Sequence, residues 1–334
     1  MSTNSIWVKD LTESQVYERD AVLEKIQTGK YKYIPNPCTL CGAENLQSRL
    51  NERLISSTDR YGIPTRTVMC GTCGMLRADP IFRETDYSDF YKNHYRALYS
   101  GQLEATKQFF NEQVYRGNKL RSLLLEFRSL TDQVVVEVGC GAGGILKGFV
   151  GNDAIAIGCD LGASYLKVAQ GHSMPVFQGS LSALRKNSAD VVIYSHVLEH
   201  IADVQNELKE ITRVLKNDGL LVIVVPGVYS IHRNYGGQVS EYLQGAHLNH
   251  FTRDHLRGLL GKAGFCELYG TQEVTAIFSK TNSTEPLDWR APSFLRVKVR
   301  VYLRAMSLLK YALAPALVLY LRISKSNFVV SKIE

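Results

Sequence analysis

The sequence predicts an α/β protein with a doubly wound, mostly parallel sheet of seven strands, a small cysteine-containing module before it and a helical tail after it. Three observations predict this fold. Short apolar runs alternate with helical stretches from residue 134 to about 280, a glycine-rich turn follows the first of these runs, and four cysteines form two close pairs near the N-terminus. Strands inside a parallel sheet are buried on both faces and therefore read as continuous apolar runs.

The composition fits a globular protein in a reducing compartment. The 334 residues are 45% hydrophobic, which is enough for a sizeable core. Four of the seven cysteines form two tight pairs and the other three are scattered, which is unlike the disulfide framework of a small secreted domain. The N-terminal residues do not have the pattern of a signal peptide, and no segment reaches the ~20 consecutive apolar residues that cross a bilayer. We therefore expect a cytoplasmic protein.

Residues 1–80 are predicted to form a zinc-binding module, which begins with a helix near residues 12–27. The paired cysteines are Cys38-x2-Cys41 and Cys70-x2-Cys73, with 28 residues between the pairs and a glycine after each pair. This spacing is typical of a four-thiolate structural zinc site made of two knuckles. The alternative is two unlinked pairs of free or redox-active thiols. We expect the other cysteines to be packing residues in or beside strands: Cys140, Cys159 and Cys266.

Residues 81–130 are predicted to be helices that connect this module to the α/β domain. Aromatic side chains recur at helical spacing from Tyr87 to Tyr99, and a second amphipathic stretch follows through "FFNEQVYRGNKLRSLLLEF". Tyrosine offers both an apolar face and a hydroxyl group. The aromatic run is therefore a candidate lining for a binding pocket, with ordinary helix packing as the alternative.

Residues 131–285 are predicted to form the α/β domain. Its strands are expected at residues 134–138, 154–159, 191–194, 220–225, 265–269 and 274–279, with the remaining strand, third in chain order, in "VFQGSLSAL". The stretch "HIADVQNELKEITRVLKNDG" has a polar outer face, and we expect this helix to end at Gly219.

The first strand runs into a glycine-rich turn, "VVVEVGCGAGG", over residues 134–144. Bare amide groups at Gly139, Gly141 and Gly143 allow the backbone to approach a ligand closely, which indicates a nucleotide-like cofactor. Gly139, Gly141 and Gly144 also fit the spacing of dinucleotide-binding proteins. The glycines alone therefore do not separate these cofactors.

Three further features resemble the class I S-adenosylmethionine-dependent methyltransferases. Glu137 lies two residues before the first glycine, Asp160 ends the second strand in "AIAIGCDLG", and "DVVIYSHVLEHIADV" precedes "LKNDGLLVIVVPG". Together they cover residues 134–226 in the family's order. The resemblance implies a Rossmann-like methyltransferase fold that binds S-adenosylmethionine. The non-enzymatic alternative is an inactive methyltransferase-like binding module.

The resemblance also implies where the cofactor lies. Glu137 is expected near its methionine end, and Asp160 near the two ribose hydroxyl groups. Ser180 stands where the family usually has an acid that binds the adenine amino group. The expected cofactor-binding residues are Glu137, Gly139, Cys140, Gly141, Gly143, Asp160, Leu161, Ser180, Leu181 and Ser195.

A zinc module ahead of this domain, and the stretch "HLNHFTRDHLRGLLGKAGF", resemble a group of bacterial methyltransferases with an N-terminal zinc-binding domain. Some members modify sugars of surface polysaccharides or natural products, so the resemblance implies a saccharide or other small polar acceptor. Relatives that methylate carbon have a further C-terminal domain, for which this chain leaves little room. We therefore expect methylation of oxygen. The alternative enzyme is a ribosomal RNA methyltransferase with an N-terminal zinc site.

Candidate catalytic residues follow the fourth and fifth strands. His196, Glu199 and His200 are expected on one side of a helical turn at the carboxyl edge of the sheet, where ligands bind in such folds. The loop after the fifth strand contributes His247 and His250. We expect His247 or His200 to be the general base. A second divalent ion at this cluster is one alternative, and a helix-start signature that packs against the cofactor is the other.

Residues 286–334 are predicted to be a basic amphipathic tail. Of the net charge of +7, residues 290–334 carry +8, from nine basic side chains and one acidic one, so the rest of the chain sums to −1. A near-neutral body argues against a nucleic-acid partner. Arg296, Arg300 and Arg304 form a stripe beside an apolar side that contains Val299, Tyr302, Leu303, Met306, Leu309 and Leu313. The tail is a candidate for attachment to the inner face of the cytoplasmic membrane, with packing on the core or in a dimer as the alternative.

Overall fold

The computed structural model describes residues 11–43, 52–101, 105–152, 154–281 and 293–312. The strands in these ranges are β1 (Tyr33–Ile34), β2 (Arg53–Thr58), β3 (Pro64–Met69), β4 (Leu76–Ala78), β5 (Ile81–Phe82), β6 (Val134–Val138), β7 (Ile155–Asp160), β8 (Val176–Gln178), β9 (Ala189–Ser195), β10 (Leu215–Val224), β11 (Asn249–His250), β12 (Phe265–Gly270) and β13 (Thr275–Lys280).

The α-helices are α1 (Glu13–Gln27), α2 (Glu84–Asn93), α3 (Tyr95–Ser100), α4 (Lys107–Leu125), α5 (Gly144–Lys147), α6 (Ala163–Gly171), α7 (Val204–Val214), α8 (Ile231–Asn234), α9 (Val239–Tyr242), α10 (Arg253–Lys262) and α11 (Ser293–Ala312). Short 3₁₀ turns occur at Leu181–Ala183, Leu198–His200 and Val228–Ser230. Helix α1 begins where the sequence predicts, because Thr12 and Gln15 form a reciprocal capping box.

The central sheet has seven strands in the order β12-β13-β10-β9-β6-β7-β8. Strands β6 to β10 run parallel, whereas β13 is antiparallel to both of its neighbours. Helices α7 and α10 pack on one face, and α4, α5 and α6 pack on the other. The predicted doubly wound, mostly parallel sheet is confirmed.

The expected end of one helix is wrong. Helix α7 ends at Val214, and β10 begins at once with the buried Leu215. The Lys280 ammonium group donates to the carbonyl oxygens of Thr212 and Leu215, at 2.8 and 3.0 Å, so a side chain caps the helix. Gly219 lies inside β10 at an irregularity of the strand, where a Cβ atom would be 2.7 Å from Leu215 Cδ2.

The N-terminal module shares its sheet with the α/β domain. This second sheet has four strands in the order β11-β4-β3-β2, and β11 follows β10 along the chain. Asn249 pairs with Arg77, and His250 pairs with Leu76. A backbone ladder therefore fixes the module against the carboxyl edge of the central sheet.

The described part of the tail packs on the core. Leu295, Val299, Leu303 and Met306 are buried on the inner side of α11, where they join the apolar cluster that contains Met69 of β3. The Arg296 guanidinium group donates to the carbonyl oxygen of Gly71. Residues 282–292 and 313–334 lie outside the described residues, and the membrane hypothesis concerns them in part. Among the described helices, none has the length and apolar character that a membrane span needs.

Of the three cysteines outside the two pairs, two are buried and one is exposed. Cys140 and Cys159 are buried in the core as expected. Cys266, on β12, is exposed, so its expected packing role is wrong. The strand begins with the buried Phe265, and because side chains alternate between the faces of a strand, the next residue points to solvent.

Candidate active site

The glycine turn after β6 adopts a backbone that other residues avoid. Gly139, Gly141 and Gly143 have φ angles of 66°, 52° and 76°. A Cβ atom at Gly139 would lie 2.4 Å from Val197 Cγ2. The turn therefore has a left-handed backbone, and its side that faces Val197 has no room for a side chain. Helix α5 begins directly after it.

Asp160 lies beside this turn. Its Oδ2 accepts a hydrogen bond of 2.8 Å from the Gly141 amide, and its Oδ1 accepts one of 2.6 Å from the Gly162 amide. The next side chain, Leu161, is 71% exposed although it is apolar. A carboxylate and an uncovered apolar surface thus lie together at the end of β7, as a nucleoside site requires.

Glu137 is buried beneath the turn. It is 3% exposed, and its Oε2 atom has no hydrogen-bond partner among the described residues. Burial raises the pKa of this carboxyl to about 8, the Leu146 amide lowers it, and the charge of Asp160 raises it further. A buried carboxyl with an unpaired oxygen fits a cationic group such as the amino group of S-adenosylmethionine.

The remaining expected cofactor residues lie around the same edge. Ser180 caps the 3₁₀ turn after β8, with its hydroxyl 2.9 Å from that of Ser182. Leu181 is buried, and Ser195 ends β9. The side chain of Cys140 is buried, so only its backbone is available to a ligand in this turn.

His196, Glu199 and His200 do come together, but not through an α-helical turn. His196 has a left-handed backbone with φ of 56°, and Glu199 and His200 lie on a 3₁₀ turn. His196 Nδ1 is 3.6 Å and His200 Nε2 is 3.8 Å from Glu199 Oε1. The expected grouping is confirmed, and the expected helical geometry is wrong because the chain turns more tightly after β9.

His247 completes this group from the loop before β11. Its ring centroid is 4.8 Å from that of His200. Burial lowers the pKa of His200 and lowers the pKa of His247 well below its ordinary value. His250 lies further back, with its ring 6.0 Å from that of His247 and 5.0 Å from that of Tyr242, and burial lowers its pKa to about 3.

A cavity of about 260 Å³ opens over these side chains. Its lining residues come from the module, the connecting helices and the α/β domain: Arg60, Tyr95, Arg96, Tyr99, His196, Glu199, His200, Pro226, Tyr235, Gln244 and His247. The aromatic residues between 87 and 99 therefore fall into two groups. Tyr95 and Tyr99 line the cavity, whereas Tyr87 and Phe90 are buried in the core.

Two arginines of this cavity were not singled out from the sequence. The Arg96 guanidinium group lies 4.0 Å over the ring of Tyr165, and its Nη2 is 3.5 Å from where a Cβ atom of Gly141 would be. The cavity therefore adjoins the glycine turn. Arg60, from the module, donates to the Tyr61 hydroxyl at 2.6 Å. Neither position carries a local motif, because each arginine reaches the cavity from a segment that is distant along the chain from the histidines.

The four paired cysteines converge behind this edge. Cys38 Sγ is 3.5 Å from Cys73 Sγ, and Cys41 Sγ is 3.6 Å from Cys70 Sγ. All four sulfur atoms lie within 4.8 Å of one another. Thiolates at 2.3 Å from a tetrahedral zinc ion are roughly 3.8 Å apart, whereas a disulfide needs about 2.05 Å. The geometry fits a zinc site and not disulfides.

The turns around these sulfur atoms also fit zinc knuckles. The glycines that follow the pairs, Gly42 and Gly74, have φ angles of 62° and 80°. Their amides donate to the carbonyl oxygens of Cys38 and Cys70, at 2.7 and 3.1 Å. The α/β domain contacts this cluster through His255, whose Nε2 is 3.1 Å from the Cys73 carbonyl oxygen.

Comparisons with known proteins agree with this fold. Residues 110–266 match a family model described as a methyltransferase domain. A Mycobacterium tuberculosis protein named "Probable S-adenosylmethionine-dependent methyltransferase" is 29% identical over 142 residues, which are 41% of this chain and 50% of that protein. The mouse tRNA (carboxymethyluridine(34)-5-O)-methyltransferase is 27% identical over 128 residues, 37% of this chain and 18% of that protein.

One solved structure is similar to this chain at a lower sequence identity than these relatives. The 1,6-didemethyltoxoflavin-N1-methyltransferase of Burkholderia thailandensis, with bound S-adenosylhomocysteine, is 17% identical, with a TM-score of 0.45 over 62% of this chain and 96% of that one. The chain spans 18 to 60% of the length of the first curated relatives that it matches. Residues 110–266 therefore match a methyltransferase-domain model, and the strand order of the central sheet is that of a Rossmann-like methyltransferase fold.

Proposed function

We propose that the protein transfers a methyl group from S-adenosylmethionine to a hydroxyl group of a small polar acceptor such as a sugar. One observation carries this proposal: a cavity with a histidine–glutamate cluster adjoins the glycine turn through Arg96. Donor and acceptor would meet at the carboxyl edge of the sheet, where open α/β folds bind ligands. The name of the M. tuberculosis relative supports S-adenosylmethionine as the donor.

The residues around the turn fit the proposed donor. Glu137 would bind the amino group, Asp160 the ribose hydroxyls, and Leu161 would cover the adenine. Ser180 offers a hydroxyl group at the position that the resemblance assigns to the adenine contact. When bound, S-adenosylmethionine supplies a methyl group on a sulfonium centre, which a nucleophilic oxygen attacks in line. The turn's contribution is to hold this centre at the mouth of the cavity.

A histidine of the cluster would accept the proton of the acceptor hydroxyl. The sequence favours His247 or His200, but these cavity-lining residues have little exposed surface: His247 is 6% exposed and the side chain of His200 is 11% exposed. The side chain of His196 is 43% exposed, and its Nδ1 is 3.6 Å from the carboxylate of Glu199. A base must reach the proton that it removes. We therefore propose His196 as the base.

The cavity also supports a sugar-like acceptor. Tyr95 and Tyr99 present aromatic faces, while Arg60 and Gln244 present hydrogen-bond donors on the same lining. Aromatic faces combined with a few convergent polar groups are suited to a molecule with both C–H faces and hydroxyl groups. A volume of about 260 Å³ is large enough for one sugar ring.

We also propose that the four cysteines bind structural zinc. A four-thiolate site leaves no open coordination position, so the ion would stabilise the fold and take no part in methyl transfer. The sulfur atoms belong to the same apolar cluster as Phe251 and Leu256 of the α/β domain. The ion would therefore fix the module, and with it Arg60, against the cavity.

The decisive experiment measures donor binding and methyl transfer separately. Calorimetric titration with S-adenosylmethionine tests the donor site, and labelled donor with pools of nucleotide sugars, glycolipids and RNA tests the acceptor. His196→Ala should lower the rate of transfer at least 100-fold with little change in donor affinity. His232→Ala, which changes an exposed histidine outside the cavity, is the matched control.

Each result separates one alternative. Label in RNA, with binding that weakens steeply as salt rises, would replace the sugar by a nucleic-acid acceptor. Donor binding without any transfer would favour an inactive binding module. A protein that binds no S-adenosylmethionine would refute the proposed function altogether.

A further inference from the structure

The carboxylate of Glu199 is buried without the hydrogen bonds that such a group normally accepts. The residue is 1% exposed, and neither Oε1 nor Oε2 has a hydrogen-bond partner among the described residues. Both histidine contacts, at 3.6 and 3.8 Å, are too long for a hydrogen bond. A buried carboxylate without partners is costly unless a cation or a proton compensates it. Among the described residues, none forms a hydrogen bond that compensates this carboxylate, and a bound cation would do so.

His200 directs a lone pair towards this carboxylate. Its Nδ1 is 2.9 Å from the carbonyl oxygen of Ala246, which can only accept a hydrogen bond, so Nδ1 carries the proton. In the neutral ring Nε2 is then unprotonated, and it is this atom that faces Glu199 Oε1. A lone pair and a carboxylate repel each other across 3.8 Å, unless an ion lies between them. A backbone carbonyl that fixes Nδ1–H is the usual support of a histidine that binds a metal through Nε2.

His247 provides a third donor from a different segment. A carboxylate oxygen of Glu199 and one ring nitrogen each of His200 and His247 all lie within 4.8 Å of one another. Tetrahedral ligands at 2.0 to 2.2 Å from one ion are about 3.3 to 3.6 Å apart. The separation of 3.8 Å between Glu199 Oε1 and His200 Nε2 is slightly longer, so ion binding would draw the two side chains together.

We propose that Glu199, His200 and His247 bind a divalent first-row transition metal ion at the floor of the cavity. Two imidazole nitrogens and one carboxylate oxygen suit manganese, iron, cobalt or zinc better than magnesium or calcium. Three protein ligands leave positions open towards the cavity, in contrast to the closed set of four thiolates.

The role of this ion rests on the proposed function. A hydroxyl group of the acceptor would occupy an open position, where the metal lowers its pKa and orients it. His196 is not among the three ligands and would accept the released proton. The methyl group passes from sulfur to oxygen, the O–H electron pair becomes the nucleophile, and the products are the methyl ether and S-adenosylhomocysteine. No oxidant or reductant is needed.

Manganese titration of the full-length protein tests the site without donor or acceptor. Because Mn²⁺ prefers oxygen and nitrogen to thiolates, it should leave a zinc-loaded cysteine site unchanged. Loss of the electron paramagnetic resonance signal of free Mn²⁺ counts the bound ions. We expect one ion per chain, with affinity lowered at least tenfold in Glu199→Gln, His200→Ala and His247→Ala. His232→Ala should bind as the wild type does, and cobalt absorption bands provide a second probe.

The outcomes distinguish this proposal from the proposed function. Metal binding that is equal in the wild type and in all three cluster variants, provided that circular dichroism shows them folded, would overturn the metal site. Failure of both Mn²⁺ and Co²⁺ to bind would do the same, even if methyl transfer is observed. Metal bound at the cluster in a protein that binds no S-adenosylmethionine would keep the site and refute the methyltransferase function.

Discussion

His250 pairs with Leu76 in the antiparallel ladder of β11 and β4, which joins the end of the α/β domain to the cysteine module. This pairing brings His247 of the α/β domain and Arg60 of the module into the lining of the same cavity. The sulfur cluster and the cavity are thus two ends of one shared sheet. Loss of the zinc ion proposed for the cysteine module should therefore alter the lining of the cavity.

Zinc removal should destabilise the fold and impair the acceptor site more than the donor site. Cys70→Ser should lose the ion and lower the free energy of unfolding by about 3 kcal/mol or more, since structural zinc contributes directly to folding. Metal analysis and thermal melting measure this effect. Cys266→Ser, at an exposed position, is the control and should retain both zinc and stability. Equal melting of the two variants would contradict a structural zinc site.

The glycine turn after β6 should be sensitive to steric crowding as well as to backbone strain. Gly139→Ala places a Cβ atom 2.4 Å from Val197 Cγ2 at a φ of 66°. We expect a loss of roughly 1 to 3 kcal/mol in stability and at least a tenfold loss in affinity for S-adenosylmethionine. Gly151→Ala separates the two causes, since Gly151 has a φ of 77° with nothing within 4 Å of its Cβ position. Donor affinity should fall only in the first variant.

The ligand-free protein should become less stable as pH rises, because of Glu137. Its folded-state pKa of about 8 lies above the ordinary value of 4.5. Between these values the folded state retains a proton that the unfolded state has released, so the free energy of unfolding declines as pH rises, by at most about 1.4 kcal/mol per pH unit. Glu137→Gln should remove this part of the slope. Urea unfolding of both proteins from pH 5 to 8.5 measures the difference, and identical slopes would contradict the assignment.

The same carboxyl should lose its proton when the donor binds. A cationic amino group beside Glu137 favours the charged form of the carboxyl. Calorimetry at pH 7 in buffers with different ionisation enthalpies should show close to one proton released by the wild type, and none by Glu137→Gln. Equal proton release by both proteins would place the methionine end of the donor elsewhere.

The sequence predicts those parts of the fold that depend on neighbouring residues. The glycine turn, the acid at the end of β7 and the start of α1 each have a local pattern, and the structure has them where expected. The end of α7 depends instead on Lys280, which reaches it from another strand. Arg60 and the short β11 depend on a pairing between distant segments. Local sequence carries no signal for such contacts.

The outer side of α11 is a described surface on which the membrane hypothesis can be tested. Phe294, Val297, Val301 and Leu308 are exposed along one stripe, with the exposed basic residues Lys298 and Arg304 beside it. An apolar stripe flanked by cations is suited to an anionic lipid surface. Truncation before the helix would uncover the core residues beneath it, so surface substitutions are the better test.

Replacement of apolar side chains on this stripe should weaken binding to anionic vesicles without unfolding the protein. In Val297→Ser/Val301→Ser both altered positions are exposed, so we expect a change in stability of less than about 0.5 kcal/mol. Co-flotation with phosphatidylglycerol vesicles should fall several-fold, because each buried methylene contributes about 0.8 kcal/mol to partitioning. Lys298→Glu/Arg304→Glu should reduce binding only at low salt. A wild-type protein that does not float with these vesicles, or a serine variant that floats equally well, would exclude this face as the attachment surface.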